Sequence, residues 1–255
     1  MNTTSSVTFR VVGLGRAGRS LVKALAGTAW EYAGGYGRHD DPTNAAVGVD
    51  AVFVTVPDDA IAAVARAIRP TSAVLIHLSG AKTLEVLEPH ERRASMHPLV
   101  SLPDVETGAA RLRGGAAFAV AGHPLAADLV AVLNGRAIEV NERHRSLYHA
   151  AAAVAANHLC VLCAQVERIA EHIGVPVELY WELMTSTLGN VERVGALKAL
   201  TGPAARGDTE TIEAHIRALS ELGPDEIDLY RTLADTATEL GRAAARRHGP
   251  DESAQ

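Results

Sequence analysis

Cysteine and aromatic residues are scarce in this chain, which holds two cysteines and only 4% Phe, Trp and Tyr among its 255 residues. Cys160 and Cys163 stand as C-x-x-C inside a stretch that reads as a long helix, with no second pair to complete a metal site. They are expected to be small core residues, and no metal is expected. With few large side chains to build a separate core, the alanine-rich second half is expected to pack against a second copy of itself as a homodimer. No lysine- or arginine-rich stripe occurs and the net charge is -6, which excludes nucleic acid as a partner class. The N-terminal Met1 to Ser6 lacks a basic-then-apolar pattern, so no signal peptide is expected. The most apolar run, Ala150 to Ala164, is short for a bilayer and carries Asn157 and His158. These absences together predict a cytoplasmic protein with no membrane contact.

Glycine is placed where it carries information. An apolar, β-branched run from Val7 to Val12 leads into Gly13-Leu14-Gly15-Arg16-Ala17-Gly18, and a helix pattern follows from Arg19 to Leu25. At a strand-to-helix junction the first glycine permits a tight turn, the second lets backbone N–H groups approach a pyrophosphate, and the third lets helix and strand pack. The helix N-terminus then faces the anion. A second strand, Trp30 to Tyr36, ends just before Arg38. An arginine there suits a ribose 2′-phosphate where an acid would suit the 2′-hydroxyl, so NADP(H) is the expected cofactor, with Arg16 a second cation near the phosphates. Asp40 and Asp41 come later and are expected to solvate the following turn.

From Asp41 to Val49 the chain is too short for the crossover helix that parallel strands normally need. Further apolar strands run over Ala51 to Val56, Ala73 to Leu78, Ala116 to Ala121 and Ala137 to Val140. Val56-Pro57-Asp58 and Ser79-Gly80 close two of them, at the carboxyl ends where open α/β sheets bind ligands. Asp58 or Asp59 is placed to cap the helix that runs to about Ile68. His97 precedes Pro98 and is therefore biased to extended backbone at a strand end. The alternation predicts an α/β fold: a Rossmann-like, doubly wound parallel sheet over residues 1–141, followed by an all-helical domain over 142–255. In that second part, helices are expected over Glu142 to Ile173, Val177 to Leu188, Val191 to Leu200, Thr209 to Leu222 and Asp225 to Arg247. His149 and Asn157 lie two helical turns apart and are candidates to face one cleft. The turn-rich Thr201 to Asp208 loop offers Asp208 or Thr209 as a cap. Its Arg206 is either an ion-pair partner within the protein or the fork that holds an anionic substrate.

Six stretches carry a resemblance: the glycine turn, Val56-Pro57-Asp58-Asp59-Ala60-Ile61, Leu78-Ser79-Gly80-Ala81, Met96-His97-Pro98-Leu99, Tyr148-His149-Ala150-Ala151-Ala152, and Thr201 through Asp208. Together they resemble the Rossmann-like oxidoreductases that carry the DUF2520 domain. That family is similar, more distantly, to 6-phosphogluconate dehydrogenase-like enzymes, pyrroline-5-carboxylate reductase and prephenate dehydrogenase, and some members resemble alternative ketopantoate reductases. The resemblance implies an NADP-dependent reductase with a helical dimerisation domain and a small anionic substrate, with 2-dehydropantoate first. In that reading the nicotinamide lies near Pro57 and Ser79, His97 or His149 is the acid, Asn157 orients the carbonyl and Arg206 holds the carboxylate. The lysine that related β-hydroxyacid dehydrogenases carry on the first helix of their second domain is absent. This leaves open a reductase of an imine or cyclohexadienyl acid, and also an NADP-binding sensor without chemistry.

Overall fold

Seven strands form one sheet, described by a computed structural model over residues 6–248. Val7–Val12 (β1), Trp30–Tyr36 (β2), Ala51–Val54 (β3), Val74–His77 (β4), Arg93–Pro98 (β5), Ala117–Gly122 (β6) and Arg136–Glu139 (β7) lie in the order β2-β1-β3-β4-β5-β6-β7. β3 and β4 are buried at every position, as strands covered on both faces must be. Phe9, Val11, Phe53, Ile76 and Met96 fill one face beneath Arg16–Leu25 (α1), and Val52, Val54 and Leu75 fill the other with Ile61 of Ile61–Ala67 (α2). All three phenylalanines, Phe9, Phe53 and Phe118, have no exposed surface. The phenylalanines therefore lie in this sheet's core.

The expected all-parallel sheet needs one correction, because β5 and β6 run antiparallel while β6 and β7 are parallel to each other. A helix that the strand pattern does not announce, Val105–Arg113 (α3), lies between β5 and β6 and packs on α1. Chain leaving β5 at Pro98 re-enters the sheet beside it, where the Leu99 amide donates to the Ala117 carbonyl at 2.8 Å. Leu125–Val132 (α4) then links β6 to β7.

The short crossover between β2 and β3 is as the sequence predicts, a single 3-10 turn at Pro42–Asn44. Arg10 explains how it survives without helix hydrogen bonds. Its Nη1 donates to the carbonyls of Asn44, Ala45 and Val47 at 3.3, 3.1 and 2.7 Å. Carbonyls that a helix would satisfy internally are satisfied by one strand side chain.

Two compact units divide after Asn157 rather than at the change of pattern after Asn141, so Arg145–Ala153 (α5) belongs with the sheet. A π-helical turn, Val154–His158, follows α5. The second unit comprises Leu159–Ile173 (α6), Glu178–Val194 (α7), Ala196–Ala199 (α8), Pro203–Arg206 (α9), Thr209–Leu219 (α10) and Pro224–His248 (α11). α7 runs through Gly189 as one helix and breaks at Gly195, whose φ of +82° leaves the helical region, so the expected break after Leu188 lies six residues too early. Asp208 caps α10 as expected, accepting from the Thr211 amide at 3.0 Å. The cysteines are not core residues: Cys160 is exposed and Cys163 half-buried, because α6 buries only Gln165 and Ala170. Glu142–Ile173 is long and apolar enough, by length and composition, to cross a membrane, although the run Ala150 to Ala164 alone is not. Its first turn is engaged otherwise, since Arg145 is buried and bonded to the Ser79 carbonyl.

Candidate active site

Each glycine in the turn after β1 meets a different constraint. Gly13 adopts a φ of +105°, and a Cβ there would stand 2.7 Å from the Thr55 carbonyl carbon. Gly18 lies in α1, and a Cβ there would overlap the Gly13 carbonyl oxygen and stand 2.6 Å from Thr55 Oγ1. Gly15 is the opposite case: it precedes α1 as its N-cap and no atom lies within 4 Å of where a Cβ would be. α1 has neither a side-chain cap nor an acidic residue in its first turn. Its leading N–H groups therefore face open space and are available to an anion. Thr55 Oγ1 donates to the Gly13 carbonyl at 2.6 Å and pins β3 to the turn. Open space at the middle glycine with steric limits at the outer two fits a dinucleotide pyrophosphate. Leu14 and Ala17 complete this turn; Arg16 is exposed beside it, and Arg38 is exposed beyond β2. Asp40 accepts from the Gly37 amide at 2.7 Å and Asp41 from the Thr43 amide at 3.0 Å, so both aspartates close local turns.

The carboxyl ends of β3, β4 and β5 hold a polar cluster. Val56 and Pro57 lead to Asp58, whose Oδ2 accepts from Ser79 Oγ at 2.6 Å. Ser79 Oγ in turn accepts from the amides of Ala81 and Lys82 at 3.2 and 3.1 Å, which shapes the turn around Gly80. The expected capping of α2 by Asp58 or Asp59 does not occur: Ala60 is the N-cap and no side chain caps it. The Ser79 hydroxyl draws Asp58 away.

His97 ends β5 with Nδ1 2.8 Å from the Tyr148 hydroxyl, the two rings standing edge-on at 89° with centroids 5.5 Å apart. His149 closes the other side, its ring centroid 5.9 Å from that of His97. Gly80 is what lets the rings meet, since a Cβ there would lie 2.6 Å from His149 Cδ2 and 2.9 Å from His97 Nε2. Beneath them His77 is wholly buried and accepts the Ser79 amide at Nδ1, 3.2 Å away. Arg145, 2% exposed, donates from Nη2 to the Ser79 carbonyl at 3.0 Å, and its buried Nε has no hydrogen-bond partner among the described residues. Burial, the neighbouring His149 and the Arg145 cation push His97 down to about 4. Burial and Arg145 likewise push His77 down to about 4. Both shifts favour the uncharged imidazole at neutral pH. Burial raises the Tyr148 hydroxyl above the ordinary phenol value, against the pull of Arg145.

Of the sequence candidates, the structure thus brings together Asp58, Ser79, Gly80, His97 and His149. It does not bring Asn157 into hydrogen-bond contact with them; that residue is exposed on the π turn. Arg206 is exposed at the end of α9 in the second unit. Arg145 and Tyr148 are additions that sequence reasoning missed. Their spacing, 145, 148 and 149 at i, i+3 and i+4, puts them on one helix stripe, but it does not say which stripe faces the sheet.

The sheet order and the glycine turn define a Rossmann-like protein. Residues 117–237 match the family described as Domain of unknown function (DUF2520). Among solved structures, a Thermotoga maritima protein superposes with a TM-score of 0.69 at 23% identity, covering 92% of this chain and 98% of that one. A Bacteroides fragilis protein, titled as a candidate NADP oxidoreductase, gives 0.72 at 20% identity, covering 92% and 99%. The imine reductase of Streptomyces aurantiacus gives 0.65 at 15% identity, covering 93% and 95%. No curated protein matches the chain.

Proposed function

We propose that the protein is an NADP(H)-dependent reductase of a small anionic carbonyl or imine compound, with 2-dehydropantoate the first substrate to try. The observation that carries the reading is the pairing, within one unit, of a glycine turn open to pyrophosphate and a polar cluster at neighbouring strand ends. Bound NADPH would supply a hydride, and the neighbours titled as an NADP oxidoreductase and an imine reductase support that chemistry on this fold. Arg38, exposed where a ribose phosphate would be read while Asp40 and Asp41 close turns, supports NADP over NAD. A sensor without chemistry would have no need of two histidines, a tyrosine and a buried arginine converging on one glycine.

The test is NADPH oxidation, followed by absorbance, against 2-dehydropantoate, other 2-keto acids and cyclic imines. Turnover of one class, with Arg38→Ala weakening NADPH by about tenfold or more and NADH little, supports the reading; one lost charged hydrogen bond is worth about 1.5–3 kcal/mol. NADPH binding without turnover of any compound moves the weight to the sensor.

The same proposal includes a homodimer formed through the second unit. α7 buries no residue, and Leu179 and Leu183, one turn apart on one face of it, are 59% and 61% exposed. A second copy of that helical surface is the occupant that suits it.

A further inference from the structure

Protonating the oxygen of a reduced carbonyl needs a donor beside the substrate, and the cluster under Gly80 contains one hydroxyl hydrogen-bonded to a histidine. We infer that Tyr148 is the proton donor of this site, with His97 as its positioning residue and Arg145 as the buried cation that stabilises the phenolate. This assignment rests on the reductase reading and names the residue that completes it.

The geometry argues for tyrosine over either histidine. Tyr148 is half-buried on α5, so its hydroxyl is neither sealed in the core nor free in solvent. Among the described residues its side-chain partner is His97 Nδ1, at 2.8 Å, in an edge-on arrangement. An uncharged imidazole with its proton on Nδ1 donates that hydrogen bond to the phenol oxygen and leaves the phenolic hydrogen free to point at a substrate oxygen. The groups around the pair are His149, Arg145, His77 and Asp58. Of these, Arg145 carries a buried positive charge with no carboxylate bonded to it among the described residues. A guanidinium so placed favours negative charge on Tyr148, the direction of its effect on that hydroxyl.

The step balances without another group. Bound NADPH would supply a hydride to the carbonyl carbon, leaving the electron pair on oxygen for Tyr148 to protonate. Tyr148 Oη–H then gives its proton to that oxygen. The resulting phenolate accepts from His97 Nδ1–H beside the Arg145 charge, and a proton from solvent restores the phenol. For an imine the same proton goes to nitrogen.

Tyr148→Phe and His97→Asn are the variants, compared with wild type in turnover of whichever panel compound is reduced, in NADPH titration, and in histidine ring NMR as pH is varied. Tyr148→Phe is expected to lower kcat by about a hundred- to ten-thousand-fold, the range of general acid catalysis, with NADPH affinity kept within about twofold. His97→Asn is expected to fall between the two. Wild-type kcat should be level from about pH 5 to about pH 8 and decline only as tyrosine ionises, and the His97 ring should remain uncharged over that span while its Nδ1 signal moves in Tyr148→Phe. Tyr148→Phe turning over within about threefold of wild type overturns the assignment while leaving a reductase. So does a wild-type decline centred near the ordinary imidazole pKa that His97→Asn abolishes. Failure of the wild type to reduce any compound overturns the reductase reading and the donor assignment with it.

Discussion

At the residue scale, the two neutral histidines make an energetic prediction separate from catalysis. His77 lies at about 4 in the folded protein and at the ordinary 6.5 when unfolded, because burial penalises its charged form. Between these values the unfolded chain binds more protons, so stability is complete above about pH 6.5 and falls as pH falls toward 4. A fully buried imidazole with this shift is worth roughly 3 kcal/mol over that window. Thermal melting should therefore show Tm declining from about pH 7 to about pH 4.5, with a shallower decline in His77→Gln. Equal slopes in both proteins would mean that His77 is not the group responsible. Glycine supplies a second test at this scale. Gly18→Ala has no room for its methyl and should lower Tm and weaken NADPH together, whereas Gly15→Ala should leave Tm unchanged and weaken NADPH alone by intruding on the open space. Much of the site was legible this way, because Gly13, Gly15 and Ser79 follow strands whose apolar runs mark their ends, and His97 is marked by the proline after it. Tyr148 and Arg145 were not: which stripe of α5 faces the sheet is decided by tertiary packing, and an arginine with 2% exposure contradicts the ordinary expectation that charge stays in water.

Among elements, β2, the short crossover and the central strands were readable because their signals are local. α3 was not, although its boundaries are written in the chain. Asp104 accepts from the Thr107 amide at 2.8 Å as its N-cap, and Gly114 follows its last residue. Its nine residues bury Gly108, Ala109 and Leu112 only, so the apolar periodicity is too sparse to announce a helix. Nor could strand direction be read, since no pattern in Ala117–Gly122 distinguishes antiparallel from parallel entry. Because α3 packs on α1, which carries the glycine turn, loss of its cap should reach the cofactor. Asp104→Ala is expected to cost about 1 kcal/mol, as for other N-caps, read by denaturant unfolding. Asp104→Asn, which keeps an acceptor oxygen, should cost less; equal losses would assign the effect to charge rather than to the cap.

At the scale of the whole molecule, the two units are stabilised in different ways. The sheet unit holds nearly every large buried side chain, Phe9, Phe53, Phe118 and Met96 among them, and closes its own core. In the second unit, α10 and α11 contribute Ile216, Leu219 and Ala234 to the buried set, and Glu226 is held there by Gln165 Nε2 at 2.9 Å and by Arg168. α7 contributes no buried residue at all. An isolated 17-residue helix is marginal in water, so α7 needs a covering surface to be stable. Burying one leucine side chain stabilises by about 1.5–3 kcal/mol, and Leu179 and Leu183, one turn apart on one face of α7, are the side chains the proposed second copy would cover. Leu183→Arg places a charge in the middle of that surface, where an unpaired buried cation is strongly unfavourable. Sedimentation should find wild type at the mass of two chains and Leu183→Arg at the mass of one, with a lower Tm because the exposed helix loses its cover. An arginine at exposed Ala151 is the control and should leave the mass unchanged. A wild-type protein of single-chain mass would remove the dimer. A Leu183→Arg protein that keeps the wild-type mass and Tm would instead place the contact between copies on another surface and leave the apolar face of α7 without its occupant.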